Sequence, residues 1–135
     1  MTIINAIQSV NILAIIVAAI VHMLTGLIWY QEKAFGSTWS KLTGKDLNPA
    51  KQWLFVGVLG HLAIVFVLAV IIILANATSV INGAFIGILV WVGFIVPLEI
   101  GELIWEKIQF KLFIIRISEH FLSLILAGAI LAIWQ

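Results

Sequence analysis

Four long apolar stretches dominate the chain and restrict what it can fold into. They run from about Asn11 to Tyr30, Gln52 to Ala75, Asn82 to Trp105 and Lys111 to Trp134, and the first two carry no charged residue. A helix needs about 20 apolar residues to cross a hydrocarbon core of about 30 Å, so each stretch can span a bilayer with some tilt. Membrane β-strands would alternate apolar and polar positions. Runs such as Ile12-Leu13-Ala14-Ile15-Ile16-Val17 and Val65-Phe66-Val67-Leu68-Ala69-Val70 do not alternate. The expected fold is therefore all-α: an integral membrane bundle of four transmembrane helices in one domain covering residues 1–135.

Composition agrees. Hydrophobic residues make up 64% of the 135-residue chain and charged residues 10%, against about 45–50% and about 25% in soluble domains. A soluble chain with so few charges could not cover its apolar surface, and a disordered or nucleic-acid-binding protein needs far more charge. No nucleic-acid partner is expected; the lipid bilayer is. Cysteine is absent, which removes disulfides, thiolate metal sites and cysteine nucleophiles.

The connections are short except for loop 1, residues 31–51. There Phe35, Trp39 and Leu42 recur at helical spacing among Lys33, Lys41 and Lys45, which predicts a short interfacial helix. Ser37 is its expected N-cap and Gly44 its expected terminator. Asn48 and Pro49 are expected to open the second span as N-cap and first helical residue. All seven Lys and Arg residues lie in or beside loops 1 and 3. The positive-inside rule then puts both loops in the cytoplasm and both termini outside, in the plasma membrane. Positive charge follows the first apolar run, so no cleaved signal peptide is expected.

Ionisable side chains inside a membrane are costly and each calls for an explanation. His22, His61 and His120 all fall inside spans, each about 12–14 Å from the ends that carry loops 1 and 3. Glu99 and Glu102 lie in the last turns of the third span, Arg116 and Glu119 in the first turns of the fourth. The opposite half of every span has no titratable group. Taking loop 3 as a tight hairpin, residues on spans three and four are level when their numbers add up to about 217. That pairs Glu102 with Arg116 as a structural ion pair and leaves His22, His61, Glu99, Glu119 and His120 as a buried polar cluster. Gly57 and Gly60 beside His61 are expected to admit a neighbouring backbone, and Gly128 with Ala132 forms a further small-residue pair. Most tryptophans, Trp29 among them, lie near span ends and read as an aromatic belt, with Trp91 placed in mid-span.

Several stretches together resemble a known membrane family, domain of unknown function 1761. They are Gly26-Leu27-Ile28-Trp29-Tyr30 followed by Phe35-Gly36-Ser37-Thr38-Trp39, then Trp91-Val92-Gly93-Phe94 with Pro97, Trp105-Glu106, Lys111-Leu112-Phe113, and His120-Phe121-Leu122-Ser123-Leu124 with Gly128-Ala129-Ile130-Leu131. The resemblance implies a small four-helix membrane protein and supplies no catalytic residue. His120 and Glu106 fall where similar residues stand in relatives. Arg116 departs from the pattern, which often has an acidic residue there, and Glu99, Glu102, His22 and His61 match no signature.

Three functions stay open on the residues alone. One is a proton-linked transporter or channel for a small solute or ion, working through the His/Glu cluster as a homo-oligomer. The second is a membrane enzyme or a protein that holds haem or a metal through histidine, although no HxxxH or ExxH pair occurs. The third is an accessory protein whose polar residues fasten helices. No cofactor and no enzyme class is specified.

Overall fold

The computed structural model describes residues 1–48 and 50–135. Its elements in order are α1 (Ile3–Gln8), α2 (Ile12–Trp29), α3 (Ser37–Thr43), α4 (Lys51–Leu74), α5 (Val80–Val90), α6 (Val96–Trp105) and α7 (Phe110–Ile133). α5 and α6 are one continuous helix joined by a wide turn at Trp91–Ile95. Among the described residues, four helices are long and apolar enough to cross a membrane: Ile12–Trp29, Lys51–Leu74, Val80–Trp105 and Phe110–Ile133. Each lies within two residues of the stretch read from the sequence.

Local chemistry accounts for most of the boundaries. The Asn11 side chain accepts from the backbone N–H groups of Leu13 (3.0 Å) and Ala14 (3.2 Å) and starts α2. Ser79 does the same for α5 by accepting from Asn82 N–H at 3.2 Å. These bonds satisfy N–H groups that a helix start otherwise leaves unpaired. Pro97 has no N–H and would break an ordinary helix. The wide turn just before it lets Val96 N–H reach the Trp91 carbonyl, so the helix continues through the proline.

Two expected helix starts are corrected. Ser37 does not cap α3, because the backbone is already helical at Gly36 (φ −61°, ψ −46°) and offers no free end. Gly36 itself is needed, since a β-carbon there would strike the carbonyl oxygens of Tyr30 and Gln31. Gly44 does end α3, in the left-handed conformation (φ 67°). α4 starts behind Ala50 with no side-chain cap, not behind Asn48; the expected role of Pro49 lies outside the described residues. α1 was not anticipated. Thr2 caps it, and its fully buried Ala6 faces a bundle in which α1 packs on α4.

α7 is the central helix and packs on α2, α4, α5 and α6. Its tightest seam is with α5. A β-carbon on Gly83 would fall on the Gly128 carbonyl, and one on Gly87 on the Leu124 carbonyl. The small-residue pair at Gly128 and Ala132 therefore serves packing within one chain. The dry core lies in the half away from loops 1 and 3. Ala14, Ile15, Ala18 and Ala19 of α2 meet Val65, Leu68, Ala69 and Ile72 of α4 and Leu124, Ala127, Leu131 and Ala132 of α7. Large apolar side chains such as Ile12, Leu27, Phe85, Leu98 and Ile133 point outward, as a bilayer-embedded surface allows.

α4 is packed along only part of its length. Every residue from Lys51 to Gly60 is exposed, His61 is half-buried, and contact with the core begins at Leu62. Gly57 and Gly60 consequently have open space where a β-carbon would stand. The close backbone approach expected at these two glycines does not occur, because the helix has already left the bundle there.

Candidate functional site

The site forms where α4 parts from α2 and α7. His22 of α2 is almost fully buried, at 1% exposure. Its Nδ1 lies 2.8 Å from Nδ1 of His61 on α4, with ring centroids 4.9 Å apart and planes at 61°. One ring must donate and the other accept, so the bond ties α2 to α4 through a single shared proton. His22 Nε2 is buried and has no hydrogen-bond partner among the described residues.

α7 supplies the other half. Glu119 is 4% exposed, and its Oε2 lies 3.0 Å from Nδ1 of its neighbour His120. Its Oε1 rests against Gly26 of α2, at 3.4 Å from where a β-carbon would be. Gly26 is one turn beyond His22, so both face the same seam. All three imidazoles lie within Coulombic range of the Glu119 carboxylate. His120 is the more open member, with about a third of its side chain exposed. The fully buried Ser123 closes the floor, its hydroxyl donating to the His120 carbonyl at 3.2 Å.

Two tryptophans hold α7 in rotation. Trp29 Nε1–H donates to the Ile115 carbonyl at 3.2 Å and Trp91 Nε1–H to the Ile117 carbonyl at 2.7 Å. Trp29 also stacks on Phe35, and Trp91 meets Phe121 edge-on. Trp29 is thus a bundle residue rather than part of a belt at the lipid surface. A span-end tryptophan looks the same in sequence whether its N–H faces headgroups or a neighbouring helix.

Glu99 lies within Coulombic range of His120 but makes no hydrogen bond to the histidines among the described residues. Arg116 Nη1 reaches Glu99 Oε2 at 3.2 Å and Glu102 Oε2 at 3.7 Å, so the ion pair expected with Glu102 is a three-residue group whose nearer partner is Glu99. The loop-based register brings Glu102 within reach of Arg116 but slips farther from the loop: Gly83 lies against Gly128 rather than level with Trp134, and the wide turn at Trp91–Ile95 takes up one residue of that shift.

Of the five cluster residues read from the sequence, His22, His61, Glu119 and His120 come together from three helices. Among the described residues, no three His, Asp or Glu side chains are grouped as a metal ion would require. The arrangement is chemically a hydrogen-bonded imidazole pair beside a carboxylate–imidazole pair, suited to holding and passing protons.

The chain's family is decided over nearly its whole length: residues 13–132 match the model described as Protein of unknown function (DUF1761). The chain belongs to the DUF1761 family. No curated protein and no solved structure matches it.

Proposed function

We propose that this DUF1761 member is a proton-linked carrier or channel for a small solute or ion. The observation that supports this is the meeting of His22, His61, Glu119 and His120 in one half of the bundle, beneath an apolar core that fills the other half. Titratable groups inside a membrane most often serve a substrate or proton pathway. The apolar half holds no polar step, so the site is open toward loops 1 and 3 alone and works as a carrier with a second, oppositely open state. The Lys and Arg bias makes that open side cytoplasmic and both termini external, in the plasma membrane. One small bundle has little room for a solute path, which favours a symmetric homo-oligomer.

Purified protein in liposomes with an internal pH dye tests this. An imposed ion gradient is expected to drive proton flux above that of empty vesicles, and Glu119→Gln and His61→Ala should abolish it. Flux equal to empty vesicles for the unmodified chain, or unchanged in both variants, overturns the reading.

The fastening role has its own support, since the His22–His61 bond joins two helices directly. It predicts that the same variants melt earlier while no version conducts protons.

A further inference from the structure

We infer that the His22–His61 pair is a proton-binding tie that sets how far α4 is zipped onto the bundle. It rests on three features outside the transport chemistry: the Nδ1···Nδ1 contact of 2.8 Å, the exposure of every residue of α4 from Lys51 to Gly60, and the open space beside Gly57 and Gly60, where no neighbouring helix holds the arm.

The proton count is the core of the matter. With both rings neutral, one Nδ1–H donates to the other ring's Nδ1 lone pair. One added proton is tolerated, because an imidazolium donates to a neutral ring in the same geometry. A second added proton leaves an Nδ1–H on each ring. The two N–H groups then point at one another, no lone pair remains between them, and two like charges face each other in a partly buried position. The contact cannot survive that state.

From α7, Glu119 and His120 face the pair; the Glu119 carboxylate offsets one positive charge, and a charged His120 opposes a further one. α1 contributes no titratable side chain. α2 and α4 contribute only the two histidines at this level. Nε2 of His22 has no acceptor beside it among the described residues, so the doubly protonated pair also leaves a buried N–H unpaired in the closed geometry, a further cost that opening relieves.

Breaking the tie moves the point at which α4 leaves the bundle from His61 toward Val65, the first fully buried residue beyond it. The bend then falls between His61 and Val65, and the stretch before it swings as one arm. Eleven residue steps separate Leu54 from Val65, an arm of about 16 Å. A bend of about 20° carries Leu54 outward by about 6 Å. The tie is the moving part of the proposed carrier and rests on that reading for its purpose; its test reads distance rather than flux, so either can fail alone.

The chain has no cysteine, so a Leu54→Cys and Phe110→Cys pair gives two unique spin-label positions on exposed sites of α4 and α7. The full chain in phosphatidylcholine–phosphatidylglycerol nanodiscs is measured by pulsed dipolar spectroscopy in steps from about pH 8 down to about pH 3, a span well beyond the free histidine range. The expected result is a lengthening of about 6 Å on acidification. His22→Phe and His61→Phe should each remove the pH response. His61→Gln, whose amide can still bond His22, should keep the short distance at every pH. An unchanged distance in the unmodified chain overturns the inference. So does a lengthening that persists in both phenylalanine variants, which would assign the motion to Glu119 and His120.

Discussion

Gly83→Ala tests whether the α5–α7 seam is the closest packed part of the bundle. The added β-carbon would overlap the Gly128 carbonyl oxygen and stand 2.5 Å from the Ala132 β-carbon. Carbon contacts settle at about 3.5–4.0 Å, so the seam must open by about 1 Å. A gap of that size forfeits roughly a quarter to a half of each pair's attraction of about 0.1–0.2 kcal/mol. Over on the order of 30 atom pairs along the seam the loss is about 1–3 kcal/mol, the same range as other overpacked cores. Alanine also gains about 1 kcal/mol over glycine as a helix former, which would mask part of the effect. Gly101→Ala removes that ambiguity. It lies on the same continuous helix, and nothing stands within 4 Å of its added β-carbon, so it carries the propensity gain without the clash. The two variants should differ by about 1–3 kcal/mol in reversible unfolding by mixed detergent micelles, with Gly83→Ala the less stable. Equal stability of the two would refute the close approach and the helix register built on it.

Two further outcomes follow from the polar contacts. Trp91→Phe keeps an aromatic ring against Phe121 but loses the donor to the Ile117 carbonyl; it should cost about 0.5–1.5 kcal/mol by the same unfolding assay, and no loss would show that the indole N–H is not engaged. Arg116 is nearer the better-buried Glu99 than Glu102. Glu99→Gln should therefore lower thermal stability more than Glu102→Gln, whose pair is partly exposed and worth at most about 1 kcal/mol; the reverse order would restore the pairing drawn from the loop alone.

Much of the polar site could be read before any fold was known. His22, His61, Glu119 and His120 stand out because a charged or imidazole side chain among apolar residues is rare and expensive. Their depth follows from counting residues at about 1.5 Å each. Partner choice could not be read the same way. Glu99 and Glu119 are equally conspicuous carboxylates, yet one meets Arg116 and the other His120. The difference comes from helix rotation, which hydropathy does not record. Trp29 and Trp91 hold α7 through backbone carbonyls at Ile115 and Ile117, and a carbonyl acceptor leaves no mark in the sequence.

The sequence by itself determined the class, the number of spans and their ends, because bilayer thickness and the cost of unpaired backbone groups act on length and polarity alone. It also confined the titratable groups to one half of the bundle. Only tertiary structure decided which glycines are filled. Gly83 and Gly128 meet backbone to backbone, while Gly57 and Gly60 face open space. In lipid, outward and inward helix faces are both apolar, so amphipathic pattern cannot tell them apart and the packing of neighbouring helices makes the choice. The same packing ends at His61, where the bond to His22 becomes the last tie between α4 and the rest of the bundle.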